Sequence, residues 1–220
     1  DTNDLRSILE GISIEDRKKN RNAIEQRRFI ITEGIFRNTG EICPLKAILA
    51  LKEKYHYRLI LDESCAFGAI GATGRGTTEY YDIPITDIDI MTIAMDNVLA
   101  SVGGVCVGTR EVVDHQRLSG PGYCFSASAC PFLSVAASQA LFELQQNPNL
   151  VNKLEEKSKK LHSLLSKTIG TDSNNNNNSG LIIKGKNIHS ESPIIHLRLS
   201  DHVVNEQKLT FDACRPRLAC

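Results

Sequence analysis

Short apolar runs that alternate with helical patterns limit the fold of this 220-residue chain more than any other feature. Runs at Arg28–Glu33, Arg58–Asp62 and Asp87–Ala94 are predicted strands, and a helix from Pro44 to about Tyr55 is predicted between the first two. Pro44 suits the first turn of such a helix. Strands separated by helices indicate βαβ units and a mostly parallel sheet, so the predicted fold class is α/β.

The remaining elements of the first 170 residues follow from the same patterns. The chain opens with a helical pattern from Thr2 to about Gln26. A fourth strand, Val102–Gly108, follows the third so closely that no crossover helix fits, which predicts an antiparallel neighbour. A long helical pattern then runs from Pro131 to about Lys167, and Asn147–Asn149 is expected to break it, because its central proline disrupts helices.

The C-terminal part of the sequence indicates a second, smaller unit. A run of Asn residues between Ser173 and Ser179 predicts a solvated loop. Beyond it, residues 181–184 and 193–199 are predicted strands. We therefore expect a large domain over residues 1–170, an Asn-rich loop over 171–180, and the beginning of a small α/β domain over 181–220. This last unit ends before it could close a core, so the chain is expected to be a fragment.

Composition excludes several classes of function. The 26 basic residues balance the 26 acidic residues, which speaks against nucleic acid or an acidic membrane surface as the main partner. The seven Cys form no CxxC pair and no Cys/His cluster at zinc spacing, so no metal site is predicted. Residues 118–142 carry no charge, but Pro121 and Pro131 interrupt them. The segment is therefore predicted to be buried protein rather than a membrane span.

The densest chemical signal is a glycine-rich segment from Asp62 to Gly76. An acid at the carboxyl end of a parallel strand stands where open α/β sheets place their ligand sites. Four glycines within nine residues allow tight turns and close approach of the backbone. The segment contains neither GxGxxG nor Gly-Lys-Ser/Thr, so it is not a nucleotide loop. The residues alone leave two readings open: a ligand site, or a structural Asp that caps the strand end.

The pattern Asp-Glu-x-x-x-x-Gly-x-x-Gly-x-x-Gly-Arg-Gly resembles the α-oxoamine synthase family, whose members are pyridoxal-phosphate enzymes that condense an amino acid with an acyl-CoA. The resemblance extends from about residue 28 to about residue 200. Further matches occur in the family's order: Glu33, Pro44–Leu45, Gly103–Gly104, Phe125–Ser128 and Pro131. The resemblance implies the fold-type I pyridoxal-phosphate transferase architecture, with a large and a small domain.

The departures from the family pattern concern the cofactor. Catalytic members have a His that helps to hold the cofactor ring and a Lys that binds the cofactor covalently. This chain keeps Asp62, the counterpart of the residue that pairs with the pyridinium nitrogen. It has Cys65 at the His position and Asn97 at the Lys position, and an amide cannot form the covalent bond. Because the chain has no Lys between Lys54 and Lys153, a small shift of the alignment does not supply one.

The loss of both residues resembles one group within the family, the non-catalytic long-chain-base subunits of serine palmitoyltransferases. The resemblance implies a lysine-bearing catalytic partner that holds pyridoxal phosphate, and the condensation of L-serine with palmitoyl-CoA to 3-oxosphinganine. It implies a place on the cytosolic face of the endoplasmic reticulum, with membrane association through regions absent from this sequence. It also implies that Ser126 or Ser128 contacts the cofactor held by the partner.

Alternatives of other classes remain open at this point. An active homodimeric α-oxoamine synthase is disfavoured because Asn97 supplies no primary amine. A cofactor-free scaffold protein that has kept only the fold is a further alternative. At the residue level, Asp62 could be a vestige that only caps a strand, and the hydroxyls of Ser126 and Ser128 could simply cap the following helix or satisfy a buried turn.

Overall fold

The computed structural model describes residues 1–171, 181–184 and 189–199. Its helices and strands follow one another along the chain in the following order: α1 (Thr2–Lys18), β1 (Phe29–Glu33), α2 (Leu45–Tyr55), β2 (Arg58–Asp62), α3 (Thr77–Tyr80), β3 (Ile90–Ala94), β4 (Gly104–Gly108), α4 (Arg110–Ser119), α5 (Pro121–Cys124), α6 (Pro131–Gln146), α7 (Asn149–Thr168), β5 (Gly170–Thr171), β6 (Leu181–Lys184) and β7 (His196–Leu199). Two 3-10 turns, Ala23–Glu25 and Ile85–Asp87, precede β1 and β3.

The first sheet has the order β1-β2-β3-β4. β1, β2 and β3 are parallel, and β4 is antiparallel to β3. The predicted mostly parallel sheet and the predicted antiparallel fourth strand are therefore confirmed. The second sheet has the order β5-β6-β7, with β5 and β6 parallel and β6 and β7 antiparallel.

The chain divides into two compact units. The first consists of Asp1–Phe36 and Ile42–Leu154, and the second of Arg37–Glu41 and Glu155–Cys220, so that the boundary falls within α7. The predicted domain boundaries near residues 170 and 181 stay a prediction. Most of the predicted Asn-rich loop and everything beyond Leu199 lie outside the described residues.

The hydrophobic core of the first unit is formed by the strands together with α1 and α2. Leu59 and Leu61 of β2 and Leu45 of α2 are fully buried in it. The buried residues of α2 recur at helical spacing and form its inner face. His56 caps the C-terminus of the helix in a left-handed conformation, with φ 58°. Burial of such side chains contributes about 1.5–3 kcal/mol each, which fixes the position of α2 against the sheet.

Several predicted elements are shorter than expected; β1 begins at Phe29 rather than Arg28, and β4 begins at Gly104 rather than Val102. The opening helix ends at Lys18 instead of continuing to about Gln26, because Asn20 takes a left-handed φ of 50°. β3 begins at Ile90 rather than Asp87, because the Asp89 carboxylate turns back to accept a hydrogen bond from Leu59 N at 2.9 Å. β7 begins at His196 rather than at residue 193.

Candidate functional site

The candidate site lies at the carboxyl ends of the three parallel strands. Glu33, the last residue of β1, stands opposite Asp62, the last residue of β2, and Asp62 stands opposite Thr92 of β3. Open α/β sheets bind their ligands at this edge. The motif that begins at Asp62 therefore lies where the sequence predicts it.

Ser64 joins the ends of β2 and β3 through three hydrogen bonds. Its backbone N donates to Asp62 Oδ1 at 2.9 Å, and its Oγ accepts from Ala94 N at 2.8 Å. Its carbonyl oxygen accepts from Asn97 Nδ2 at 2.6 Å. Ser64 thus brings Asp62 and Asn97, two residues that the sequence singles out, onto the same turn.

Asn97 has an anchoring contact in the place where the family resemblance puts a lysine. Its side chain is exposed, and its amide holds the loop after β3 to the turn after β2. Cys65 is half-buried in that turn. Because Asn97 has no primary amine and its Nδ2 is already bound, the residues at this edge do not fit covalent attachment of pyridoxal phosphate.

Glu63 is a fully buried carboxylate that sequence reasoning missed. Thr77 N donates to both Glu63 carboxylate oxygens, at 3.1 and 3.0 Å, and Thr77 Oγ1 donates to Oε2 at 3.2 Å. Burial raises the pKa of Glu63 to about 7; the Thr77 hydrogen bonds lower it, and the charge of Asp62 raises it further. The signal in the sequence is an acid placed inside a stretch of small and apolar residues.

The glycine-rich loop, residues 68–76, folds back on itself. Gly68 N donates to Gly74 O at 2.7 Å, and Gly76 N donates to Ile70 O at 3.1 Å. A Cβ at Gly76 would lie 2.2 Å from Glu63 Oε2, and the φ of this residue is +81°. Glycine is required here because the backbone passes directly over the buried carboxylate.

Glu79 holds the other side of the glycine-rich loop. Its carboxylate accepts from Thr73 N at 2.9 Å, Thr73 Oγ1 at 2.7 Å and Arg75 N at 3.0 Å. Partial burial opposes the charged form of Glu79, but these hydrogen bonds outweigh it and lower its pKa. The glycine-rich loop is therefore held by two carboxylates, Glu63 with a raised pKa and Glu79 with a lowered pKa. The Arg75 side chain is exposed.

The loop of residues 95–103, which carries Asn97, rests against the glycine-rich loop. Met95 N donates to Gly103 O at 3.0 Å, and Ser101 N donates to Met95 O at 3.1 Å. A Cβ at Gly68 would lie 2.4 Å from Val98 Cγ1. The two loops therefore approach each other closely enough to form one continuous surface at the carboxyl edge of the sheet.

Ser126 and Ser128 lie apart from this hydrogen-bond network. Both are exposed, and the Ser126 hydroxyl donates to Gly122 O. Helix α6 begins at Pro131 with Cys130 as its N-cap, and no side chain caps it. The alternative that these hydroxyls cap the helix is therefore not what is observed. In the described part of the chain no hydrogen bond joins either serine to Asp62, Cys65 or Asn97.

The sequence matches the model of the family "Aminotransferase class I and II" over residues 3–189. The chain belongs to this family. Membership of the aminotransferase class I and II family confirms the predicted fold class, an α/β fold of the pyridoxal-phosphate transferase type with a mostly parallel sheet.

The curated relatives of this aminotransferase-family chain include proteins named for long-chain-base synthesis and for serine palmitoyltransferase. The chain is 43% identical over 187 residues to long chain base biosynthesis protein 1b of Oryza sativa subsp. japonica. The aligned region covers 85% of this chain and 39% of that protein. It is also 40% identical over 212 residues to serine palmitoyltransferase 1 of Dictyostelium discoideum, and this aligned region covers 96% of this chain and 42% of that protein. The chain therefore spans about two fifths of the length of these relatives.

Solved structures agree with the family fold. A serine palmitoyltransferase from S. paucimobilis with bound PLP–myriocin aldimine superposes with a TM-score of 0.74 at 23% identity, covering 92% of this chain and 46% of that one. A serine palmitoyltransferase from Sphingomonas wittichii superposes with a TM-score of 0.70 at 24% identity, and the superposition covers 86% of this chain and 44% of that one. At these identities the likeness shows the fold alone.

The described residues contain neither a metal-binding cluster nor a membrane-spanning helix. No group of three or more His, Cys, Asp or Glu in those residues could hold a metal ion. None of the described helices is both long and apolar enough to cross a membrane. His162 is buried, and its Nε2 lies 3.3 Å from Ser192 O.

Proposed function

We propose that this chain is part of the non-catalytic subunit of a serine palmitoyltransferase. The observation that carries the proposal concerns Asn97, which the family resemblance puts at the lysine position: its amide donates to Ser64 O and holds the Ser64 turn. The relatives named serine palmitoyltransferase 1 and long chain base biosynthesis protein 1 support it. The reaction served is the condensation of L-serine with palmitoyl-CoA to 3-oxosphinganine.

The partner in this proposal is a lysine-bearing subunit of the same fold. Large apolar side chains between residues 118 and 142 support the need for a partner surface, because they are exposed rather than buried as the sequence predicts. Leu118, Phe125, Phe132 and Phe142 are 82%, 89%, 67% and 52% exposed. Obligate subunit interfaces are large and hydrophobic, so a partner that covers this segment would remove it from water.

Pyridoxal phosphate belongs to the partner subunit in this proposal. When bound there, the cofactor supplies the electron sink for chemistry at the α-carbon of serine. This chain would contribute the hydroxyl of Ser126 or Ser128 to the cofactor phosphate. Asp62 keeps the position of a cofactor residue, yet its observed contact is to Ser64 N, which fits a vestigial, strand-capping role equally well.

The location in the cell is proposed from the same relationship. We place the complete protein at the endoplasmic reticulum membrane, facing the cytosol, with attachment through regions outside this sequence.

Reconstitution of activity tests the proposal. The full-length protein, its lysine-bearing partner and their mixture would each be assayed for serine- and palmitoyl-CoA-dependent formation of 3-oxosphinganine. We expect activity only when the two chains purify together. Activity of the full-length protein by itself would instead support the homodimeric synthase, and failure to associate with any lysine-bearing homologue would support the cofactor-free scaffold.

Ser126→Ala and Ser128→Ala are expected to weaken cofactor retention in the heterodimer. Loss of one hydroxyl bond to a charged phosphate costs about 1.5–3 kcal/mol, which is about tenfold or more in affinity. Cofactor dissociation and serine turnover would be measured in purified heterodimers. Ser134→Ala, a substitution of an exposed serine one turn into α6, is the matched control and should leave both unchanged. Unchanged affinity and turnover in both test variants would contradict the assigned contact.

Asn97→Lys by itself is expected not to give an active or cofactor-loaded chain. The substitution adds an amine but removes the 2.6 Å hydrogen bond to Ser64 O, and Cys65 still replaces the family's histidine. Covalent attachment of cofactor would be measured by borohydride reduction and mass spectrometry of the full-length protein without its partner. The double variant Asn97→Lys/Cys65→His provides the comparison. Stoichiometric attachment in the single variant would show that the pocket is intact and the expectation wrong.

A further inference from the structure

The backbone that covers Glu63 is attached to the Glu63 carboxyl by hydrogen bonds. Thr77 N, the first N–H of α3, donates to both carboxyl oxygens, and a Cβ at Gly76 would lie 2.2 Å from Oε2. α3 has only four residues, and its N-cap residue Gly76 offers no side chain that could accept from them. The Glu63 carboxyl therefore serves as the capping group that the first turn of a helix needs.

Glu63 has no cation to balance a negative charge. It is fully buried, and none of the ion pairs in the described part of the chain includes it. Two titratable groups act on it, and neither favours its ionised form. Asp62 is the neighbouring acid, and Cys43 is a buried thiol whose pKa is raised to about 11, so that it stays neutral at pH 8. Ionisation of Glu63 in the closed structure is therefore costly.

The two sides of the Glu63 side chain differ in how firmly they are held. On one side lies Gly34, where a Cβ would lie 3.0 Å from Oε2. Gly34 is fixed by backbone hydrogen bonds of 2.8 Å at both its N and its O. On the other side lies the glycine-rich loop, in which Ala72, Thr73 and Arg75 are exposed. The shortest way for water to reach the carboxyl therefore leads through the loop.

From this arrangement we propose that Glu63 is a pH-sensitive switch: the protonated carboxyl holds residues 75–77 closed over it, and transfer of its proton to solvent releases them and admits water. The glycine-rich loop and the loop of residues 95–103 form one surface, because Gly68 packs against Val98. Release of residues 75–77 would therefore alter the surface at the carboxyl edge of the sheet. The inference rests on contacts within this chain and not on the proposed function.

Hydrogen–deuterium exchange of the full-length protein, followed by mass spectrometry at pH 5 and pH 8 and corrected for the intrinsic rates, tests the switch. Peptides from residues 68–80 are expected to lose protection by about 70-fold between the two pH values, because the pKa of Glu63 is about 7 when closed and ordinary when hydrated. They should also be less protected at pH 8 than β2, since the opening is local. α1, which packs against α2, is the internal reference and should change little.

Three variants separate the proton of Glu63 from its shape. Glu63→Gln cannot ionise and should keep its pH 5 protection at pH 8. Thr77→Val removes the hydroxyl donor but keeps the N–H, so it should raise the pKa of Glu63 further and move the loss of protection to higher pH. Glu79→Gln is the matched control: the pKa of Glu79 is lowered, so this variant should reduce protection of residues 73–75 to the same degree at both pH values.

Two results would overturn the switch. One is an equal change of protection with pH in wild type and Glu63→Gln, and the other is protection of residues 68–80 that equals that of β2 at both pH values. If Glu63→Gln does not fold, Thr77→Val decides, since an unchanged pH of opening in that variant would also overturn the switch. None of these outcomes depends on whether the chain pairs with a catalytic partner.

Discussion

Gly76→Ala is expected to lower the free energy of unfolding by about 3 kcal/mol or more. The backbone at Gly76 has φ +81° and ψ −153°, a conformation that only glycine adopts at low cost. The added Cβ would also lie 2.2 Å from Glu63 Oε2, so the buried carboxylate and its bonds to Thr77 would have to move. Backbone strain and loss of a buried hydrogen-bond network act together at this position.

Urea denaturation of the full-length protein would measure this effect, with Gly11→Ala as the matched control. Gly11 lies within α1 and a Cβ there would contact nothing within 4 Å. Alanine in a helix interior is more favourable than glycine by about 0.5–1 kcal/mol, so the control should be slightly stabilised. Two glycine variants with equal midpoints would show that the loop does not pass over Glu63 as described.

Glu63 is expected to make stability fall as pH rises. Its pKa is raised from the ordinary 4.5 to about 7 in the folded protein, because burial disfavours the charged form. Between these two values the folded state retains a proton that the unfolded state has released. The stabilisation is therefore fully present below pH 4.5 and is lost as pH rises through 7. The gap between the two values corresponds to about 3 kcal/mol, most of it lost between pH 5 and pH 8.

Glu63→Gln removes this pH dependence while it keeps the shape of the side chain. The amide can still accept from Thr77 N and donate to Thr77 Oγ1, as a protonated carboxyl would. The wild type should lose about 2–3 kcal/mol relative to this variant between pH 5 and pH 8. Glu79→Gln is the control: the pKa of Glu79 is lowered, so its contribution should be level over that range and decline only as pH falls below about 4.5. Parallel pH profiles for wild type and Glu63→Gln would contradict the buried, proton-holding carboxylate.

The parts of the fold that could be predicted from the sequence are those with strong local patterns. β2 has the predicted bounds Arg58–Asp62, because three consecutive apolar residues between a charged helix and a glycine-rich segment are typical of a short buried strand. The break between α6 and α7 falls at the predicted Asn147–Asn149, because Pro148 cannot continue the first helix. The antiparallel β4 followed from loop length alone.

The parts that could not be predicted depend on tertiary contacts. Helix α4, Arg110–Ser119, was missed because it is short and mostly polar, so its few apolar positions do not stand out in the sequence. The end of α1 is set by Asn20 and by the pairing of Asp16 with Arg28, twelve residues further on. Residues 118–142 were predicted to be buried from their lack of charge, but composition does not say which surface covers an apolar segment.

The candidate site also has features that could be predicted from the sequence and features that could not. The position of Asp62 at a strand end followed from the motif, whereas the correspondence of Asn97 to the family's lysine stays a prediction from the resemblance. The contacts of Ser64 with Asp62, Ala94 and Asn97 link residues up to 33 positions apart, and nothing in the local pattern indicates them. Glu63 and Glu79 escaped notice because most of their partners are backbone amides, which leave no residue-type signature in the sequence.

The location of the covalently bound cofactor tests the central claim most directly. The heterodimer of the full-length protein and its lysine-bearing partner would be loaded with pyridoxal phosphate, reduced with borohydride and digested, and the labelled peptide would be identified by mass spectrometry. Because the family resemblance puts Asn97 at the lysine position, we predict label on the partner's lysine peptide and none on any lysine of this chain. Stoichiometric label on a lysine of this chain would contradict the assignment of a non-catalytic subunit.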